Sequence, residues 1–167
     1  MKRILFVLIA LLVSLNVAKA QKVGYINTQT ILAEMPEYLS AQQSLEKLSA
    51  QYQQYLEQEA AKIEAAYRAY QSHRSRLTES QKQARENDII SMEKRLQEKQ
   101  KEYFGEKGVM ATKSEQLLNP LKSRVDAAIQ KVAQSRGYTL IIDVSAVQGV
   151  VYADQTADLS LEVIRNL

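Results

Sequence analysis

The sequence predicts a mostly helical α+β chain, a small β-containing body carrying a long antiparallel helical hairpin. Three observations lead there. The only two prolines, Pro36 and Pro120, bracket 83 residues that hold two glycines and four β-branched aliphatics, Ile63, Ile89, Ile90 and Val109. The rest of that stretch is rich in Gln, Glu, Lys, Arg, Ala, Leu and Tyr, residues that keep most of their rotamer freedom in a helix or pack along one. Within it, apolar residues recur at steps of three and four, the period of one helix face. Segments with β character stand only outside the stretch, at Lys22–Asn27 and Tyr138–Val144.

The first element is a leader. Lys2 and Arg3 precede an apolar run from Ile4 to Val13, and Ala18-Lys19-Ala20 supplies the small-x-small pattern of a signal-peptidase site. The run is short for a bilayer span, so cleavage after Ala20 is expected in preference to a retained membrane anchor. No cysteine follows the run, which excludes lipid anchoring by that route. The formal charge of +3 arises from 22 basic and 19 acidic residues. Removing Lys2, Arg3 and Lys19 leaves 19 against 19, so the mature chain is neutral. A basic chain would have pointed to nucleic acid; this one does not. With zero cysteines, no disulfide braces the fold.

After the leader, KVGYIN (22–27) reads as a strand. Thr28 caps a brief helix through Ile31 and Leu32 that stops at Met35, ahead of Pro36, and Pro36 suits the first turn of the next helix. One stripe on that helix runs Leu45, Leu48, Tyr52, Leu56, Ala60, Ile63, Tyr67, Tyr70 and then Leu77. A second runs Ile89, Met92, Leu96, Tyr103, Met110, Leu117, Leu121, Val125, Ala128 and Val132, interrupted by Gln100, Lys107 and Ser114. Ser72–Thr78 lacks the period, and Thr78-Glu79-Ser80-Gln81 has the form of a capping box, the signature of a new helix. A turn there gives two arms of about 38 residues, each roughly 57 Å long at the helical rise, rather than one unbroken helix. Leu121–Arg136 is expected as a helix ended by Gly137. Tyr138–Val144 is expected as a buried strand with Val147–Tyr152 as its hairpin partner. After a loop at Asp154–Thr156, a small helix over Ala157–Leu167 closes the chain. The organisation is therefore a leader (1–20), a body (21–37 with 117–167) and a hairpin arm (38–116). So few short strands make a marginal core, which suggests that several copies share it.

Catalysis finds little support. His73 is the single histidine and cysteine is absent, so Cys-His, Ser-His-Asp and His-metal centres cannot be assembled in their familiar forms. No Gly-rich loop precedes a Lys-Ser/Thr pair, which argues against ATP use. No catalytic, cofactor or metal residue is assigned. Carboxylates alternate with Lys and Arg, as in Glu93-Lys94 and Glu98-Lys99, the pattern of a solvated helix face. Arg68, Arg74, Arg76, Lys82 and Arg85 surround the turn with one acid, Glu79, among them. That local excess suits either a solvated turn or attraction to anionic lipid and acidic partners. Tyr38 and Tyr55 fall off the stripes and are candidates for contact with a bound protein.

Taken together, the leader, VGYINTQTILAEM, the Gln/Lys/Glu-rich hairpin, SRGYTLIIDVSAVQGVVYA and TADLSLEVIRNL resemble the Skp (OmpH-like) family of periplasmic chaperones over the whole mature chain. The resemblance implies a homotrimer whose sheets form a small shared barrel, with helical hairpins around a cavity. It further implies that unfolded outer-membrane proteins are held without ATP and handed on. Clients would meet Tyr38, Tyr55, Arg68, Arg74, Arg76, Lys82 and Arg85, with lipopolysaccharide or another anionic lipid as a further partner at the tip and no role for nucleic acid. Gly105, Gly108 and Pro120 would act as hinges. Val23, Tyr25, Leu140, Ile141, Ile142, Val144, Val150 and Val151 would build the trimer body. Members of the family are often strongly basic, whereas this mature chain is neutral, which moves weight from net attraction to local contact. An envelope coiled-coil spacer or adaptor is the alternative reading.

Overall fold

Residues 21–167 are described by a computed structural model, and the expected leader lies outside them. The elements are β1 (Val23–Ile26), α1 (Thr28–Ala33), α2 (Pro36–His73), a 3-10 turn (Arg74–Arg76), α3 (Glu79–Phe104), α4 (Val109–Arg136), β2 (Leu140–Asp143), a second 3-10 turn (Gln155–Ala157) and α5 (Ser160–Ile164). Two compact units divide the chain. One joins residues through Gln29 to Ala128–Leu167, and the other is Thr30–Ala127.

The smaller unit is built on β1. Its partner is β2, paired in parallel with Val23 opposite Leu140 and Ile26 opposite Asp143. Parallel strands cannot be joined by a tight turn, so the long excursion between them serves as the crossover. On its other side β1 meets the C-terminal segment, where Tyr25 bridges Asp158 and the Leu159 amide donates to the Tyr25 carbonyl at 2.9 Å. Ile26, Ala128, Val132, Leu159 and Val163 form the buried apolar set of this unit. Gly24 is required by proximity, since a Cβ there would lie 2.8 Å from Leu159 Cδ1 and 2.9 Å from Tyr138 Cε1. Buried Ser160 is satisfied in both directions, donating to Asp158 Oδ1 at 2.6 Å and accepting from the Asn27 amide at 2.9 Å.

Four sequence expectations are corrected here. Val147–Tyr152, with Val150 and Val151, does not form a hairpin strand against Val144. A two-residue connection of Ser145-Ala146 would need positive φ at its centre, and no residue other than Gly137 and Gly149 adopts it among the described residues. Instead Asp143 Oδ1 accepts from the Ser145 amide and hydroxyl at 2.9 and 2.7 Å, which turns the chain away; Val151 is left 98% exposed and Tyr152 83%. The strand Tyr138–Val144 shortens to Leu140–Asp143 and is not buried within one chain, Leu140 being 53% exposed. The closing helix spans only Ser160–Ile164, and the expected loop at Asp154–Thr156 tightens into a 3-10 turn held by the Asp154 carboxylate on the Thr156 amide.

The larger unit contains the hairpin. Pro36 opens α2, a single helix of 38 residues. The capping box is present: the Gln81 amide donates to Thr78 Oγ1 at 3.3 Å and the Thr78 amide to Gln81 Oε1 at 3.0 Å. The turn thus falls where the sequence put it. The return arm is not one matched helix, however. It stops after 26 residues at Phe104 and restarts at Val109, and the helix expected to begin at Leu121 already runs through Pro120. The Gly105–Gly108 turn supplies the break, closed by the Gly108 amide on the Gly105 carbonyl at 2.8 Å, so Pro120 need not. Ile31, Leu32, Met35, Ala41, Tyr70, Ile89, Leu121 and Val125 are the buried apolar residues of this unit. The α2 stripe is rotated slightly from expectation. Ala60 and Tyr67 lie exposed, while Glu59 and Ala66 are half-buried, so the covered positions Tyr52, Leu56, Glu59, Ile63, Ala66 and Tyr70 alternate steps of four and three, the repeat of a coiled-coil seam.

The end of α4 follows the Schellman pattern. Gly137 has φ +69, and the Tyr138 amide donates to the Ala133 carbonyl at 2.9 Å. No atom lies within 4 Å of a Cβ built there. Gly137→Ala should therefore lower stability by about 1 kcal/mol from backbone strain alone, measured as a shifted urea midpoint. An unshifted midpoint would show that the cap contributes nothing.

Candidate functional site

The exposed chemistry of the hairpin lies along α2 and α3 and around their turn. Near Phe104 an aromatic cluster joins the two helices. Tyr52 stacks on Tyr103 with centroids 4.1 Å apart and planes 11° from parallel, Phe104 meets Tyr52 edge-on at 6.4 Å, and Tyr55 meets Tyr103 edge-on at 6.0 Å. Such pairs add about 0.5–1.5 kcal/mol each beyond burial. Tyr55 therefore belongs to the α2–α3 seam rather than standing off it, although a good part of its surface stays open. Lys99 Nζ lies 5.6 Å from the Tyr103 centroid. Tyr38 is half-buried in the first turn of α2, its hydroxyl accepting from Gln42 Nε2 at 3.0 Å.

Closer to the turn, Tyr70 and Ile89 are buried in the seam, and the Tyr70 hydroxyl donates to Glu86 Oε1. That hydrogen bond, with burial, holds the phenol above its usual range. The basic cluster is less cationic than its composition suggests. Arg68 is paired with Glu64 at 3.1 Å, and Lys82 with Glu79 at 2.7 Å. The Lys82 hydrogen bond in turn holds the Glu79 carboxyl below its usual value. Arg74 adjoins Tyr70, and among the described residues Arg76 and Arg85 have no carboxylate partner. The turn brings Arg74, Arg76 and Lys82 to one end of the hairpin, whereas Tyr38 and Tyr55 lie far along α2 from it. The seven candidates are therefore not one site.

Sequence reasoning missed Phe104, Tyr67 and Ile90 as exposed apolar residues, the last two 51% and 60% exposed. Phe104 could have been found from its place beside Gly105, where a helix ends. Tyr67 could not, since its spacing matches the buried stripe. Gly105 and Gly108 line an open depression of about 950 Å³ with Glu98, Lys101, Lys107 and Lys113 among its walls. Both glycines are sterically required: a Cβ at Gly105 would lie 2.5 Å from the Lys101 carbonyl, and one at Gly108 2.8 Å from that of Glu102. Among the described residues, no three His, Cys, Asp or Glu side chains gather as a metal site. No helix among them is long and apolar enough to cross a membrane.

A long polar helical hairpin attached in sequence to a small parallel sheet defines a mostly helical α+β protein. The chain belongs to the outer membrane protein (OmpH-like) family, which it matches over residues 22–167. It is 24% identical over 154 residues to the chaperone protein Skp of Yersinia enterocolitica, covering 89% of this chain and 87% of that one. The fold is similar to the crystal structure of a putative outer membrane chaperone (OmpH-like) from Caulobacter crescentus. That match has a TM-score of 0.67 at 14% identity and covers 86% of this chain and 82% of the other.

Proposed function

We propose that this protein is an ATP-independent periplasmic holdase, and not an enzyme, that binds unfolded outer-membrane proteins between helical arms and prevents their aggregation. The carrying observation is the exposed apolar surface along the α2–α3 hairpin, where Tyr55 and Phe104 edge the aromatic cluster and Tyr67 and Ile90 border a groove nearer the turn, each pair among charged side chains. Scattered apolar points of this kind suit many weak contacts to an unfolded chain, giving avidity while each contact remains easily released. Family membership supports the same reading. Residues 1–20 are then a cleaved leader that directs the chain to the periplasm.

The active form is a homotrimer. The outer edge of β2 is unpaired among the described residues, and Leu140, Val147, Val150, Val151 and Tyr152 are exposed beside it or just after it in sequence. A free edge and a run of exposed apolar side chains favour pairing with further copies. Val23, Tyr25, Ile141, Ile142 and Val144 belong to the same proposed body. Arg74, Arg76 and Arg85 offer a weaker attraction at the turn, to acidic segments or to anionic lipid such as lipopolysaccharide.

The mature protein should suppress aggregation of a urea-diluted outer-membrane protein at about stoichiometric trimer, with light scattering giving three subunits. No suppression, together with capture of one fixed partner, would favour the envelope adaptor instead. Because the grip is local contact, suppression should survive at 1 M salt, where the screening length is about 3 Å. Its loss in salt would restore electrostatic capture. Gly105 and Gly108, with Pro120 inside α4, serve as hinges that set the width between arms. Alanine at both glycines must displace the turn, since each Cβ meets backbone oxygen. The range of client sizes held in solution should therefore change, and an unchanged range would remove the hinge role.

A further inference from the structure

Two grooves flank the α2–α3 seam near the turn, and they are unlike. Tyr70 and Ile89 line both, so the grooves are opposite sides of the same stretch of hairpin. The first, of about 660 Å³, is hollowed by the small residues Ala66 and Ala69 and carries Arg85 and Arg95 against one acid, Asp88. The second, of about 610 Å³, is bordered by the protruding Tyr67 and Ile90 and carries Glu86 and Glu93 against one base, Arg74. One flank is lined on α2 by small residues and carries an excess of positive charge. The other has two large apolar knobs and an excess of negative charge. Both occur at the same height along the helices.

The geometry points to a second copy of this chain as the occupant: the Tyr67–Ile90 flank of one hairpin docks into the Ala66–Ala69 flank of the next. The two surfaces differ, so the contact is heterologous, of the kind that closes into a ring under rotational symmetry. It rests on the oligomeric reading above, because tethering the arms in one oligomer supplies the effective concentration that a small contact needs. Glu93 faces Arg95 of the neighbouring hairpin across it, a pairing that separated, like-charged tips would lack. In the empty oligomer the hairpin tips hold one another, and an unfolded client must part them.

The absence of native cysteine makes the test direct. Ala69→Cys protein and affinity-tagged Ile90→Cys protein are refolded together, oxidised and separated without reductant. The mixed disulfide should exceed either like disulfide several-fold. In the same cysteine backgrounds, Glu93→Arg in the Ile90→Cys copy should lower it several-fold, and adding Arg95→Glu in the Ala69→Cys copy should restore it. A mixed disulfide no more abundant than the like ones, from protein that scatters light as a trimer, overturns the inference and leaves the holdase reading intact. Scattering as a monomer overturns the oligomeric reading, and this inference with it. A mixed disulfide indifferent to the charge reversals refutes the electrostatic part of the fit.

Discussion

Replacing Ile31 by alanine is expected to destabilise the protein by about 2–5 kcal/mol, the largest effect of any single truncation considered. Ile31 has no accessible surface and, with Val125, Val132 and Val163, is among the largest fully buried side chains of the described residues. It sits in α1, a helix of six residues too short to persist without packing. The cost combines lost transfer energy with the cavity left behind, and a helix so short has little other support. Urea unfolding at fixed protein concentration measures it, since an oligomer's midpoint moves with concentration. A midpoint within error of the native protein would mean that α1 is not part of the cooperative unit.

Removing the Asp143 carboxylate is expected to have the second largest effect. One oxygen, Oδ1, accepts from the Thr28 amide at 3.1 Å, the Ser145 amide at 2.9 Å and the Ser145 hydroxyl at 2.7 Å. It thereby caps α1 and ends β2 at once. Burial pushes this carboxyl up, but the hydrogen bonds from Thr28 and Ser145 together outweigh it, so it sits below its ordinary value of 3.8. A depressed folded-state value means that ionised Asp143 contributes stability at pH above 3.8, and that this contribution is lost as pH falls through the lower folded value. Asp143→Ala should cost about 1–3 kcal/mol at neutral pH, because two partly buried amides lose their acceptor. Its stability should then fall less than that of the native protein between pH 5 and pH 2. Parallel pH profiles for the two proteins would show that the carboxylate is not the group responsible.

Much of the hairpin was legible in the sequence because its signals are local. The Thr78-x-x-Gln81 box, Pro36 at a helix start and Gly137 at a helix end each act within a turn of backbone. The break in the return arm was less legible. Gly105 and Gly108 announced flexibility, but only the close approach of the Lys101 and Glu102 carbonyls shows that they impose a turn and divide the arm. Pro120 drew the boundary to itself although a helix of 28 residues absorbs one missing amide bond. Among the candidate contact residues, charge was readable and pairing was not. Arg68 and Lys82 count as cations in composition yet stand against Glu64 and Glu79, while Arg76 and Arg85 do not.

The strands show the same division. Their hydrophobic runs marked β1 and β2, but register and partner depend on what lies across the chain, and Val147–Tyr152 was assigned to a hairpin its connection cannot turn. By itself, then, the sequence determined the helical hairpin, the place of its turn, the charge balance of residues 21–167 and the residues that open α2 and close α4, because propensity, capping and charge are properties of neighbours in the chain. The tertiary structure alone decided that β1 pairs in parallel with β2, that Asp143 rather than Thr28 caps α1, and that the two flanks of the hairpin differ in shape and charge. Those outcomes rest on distances between residues far apart in sequence, which no local period encodes.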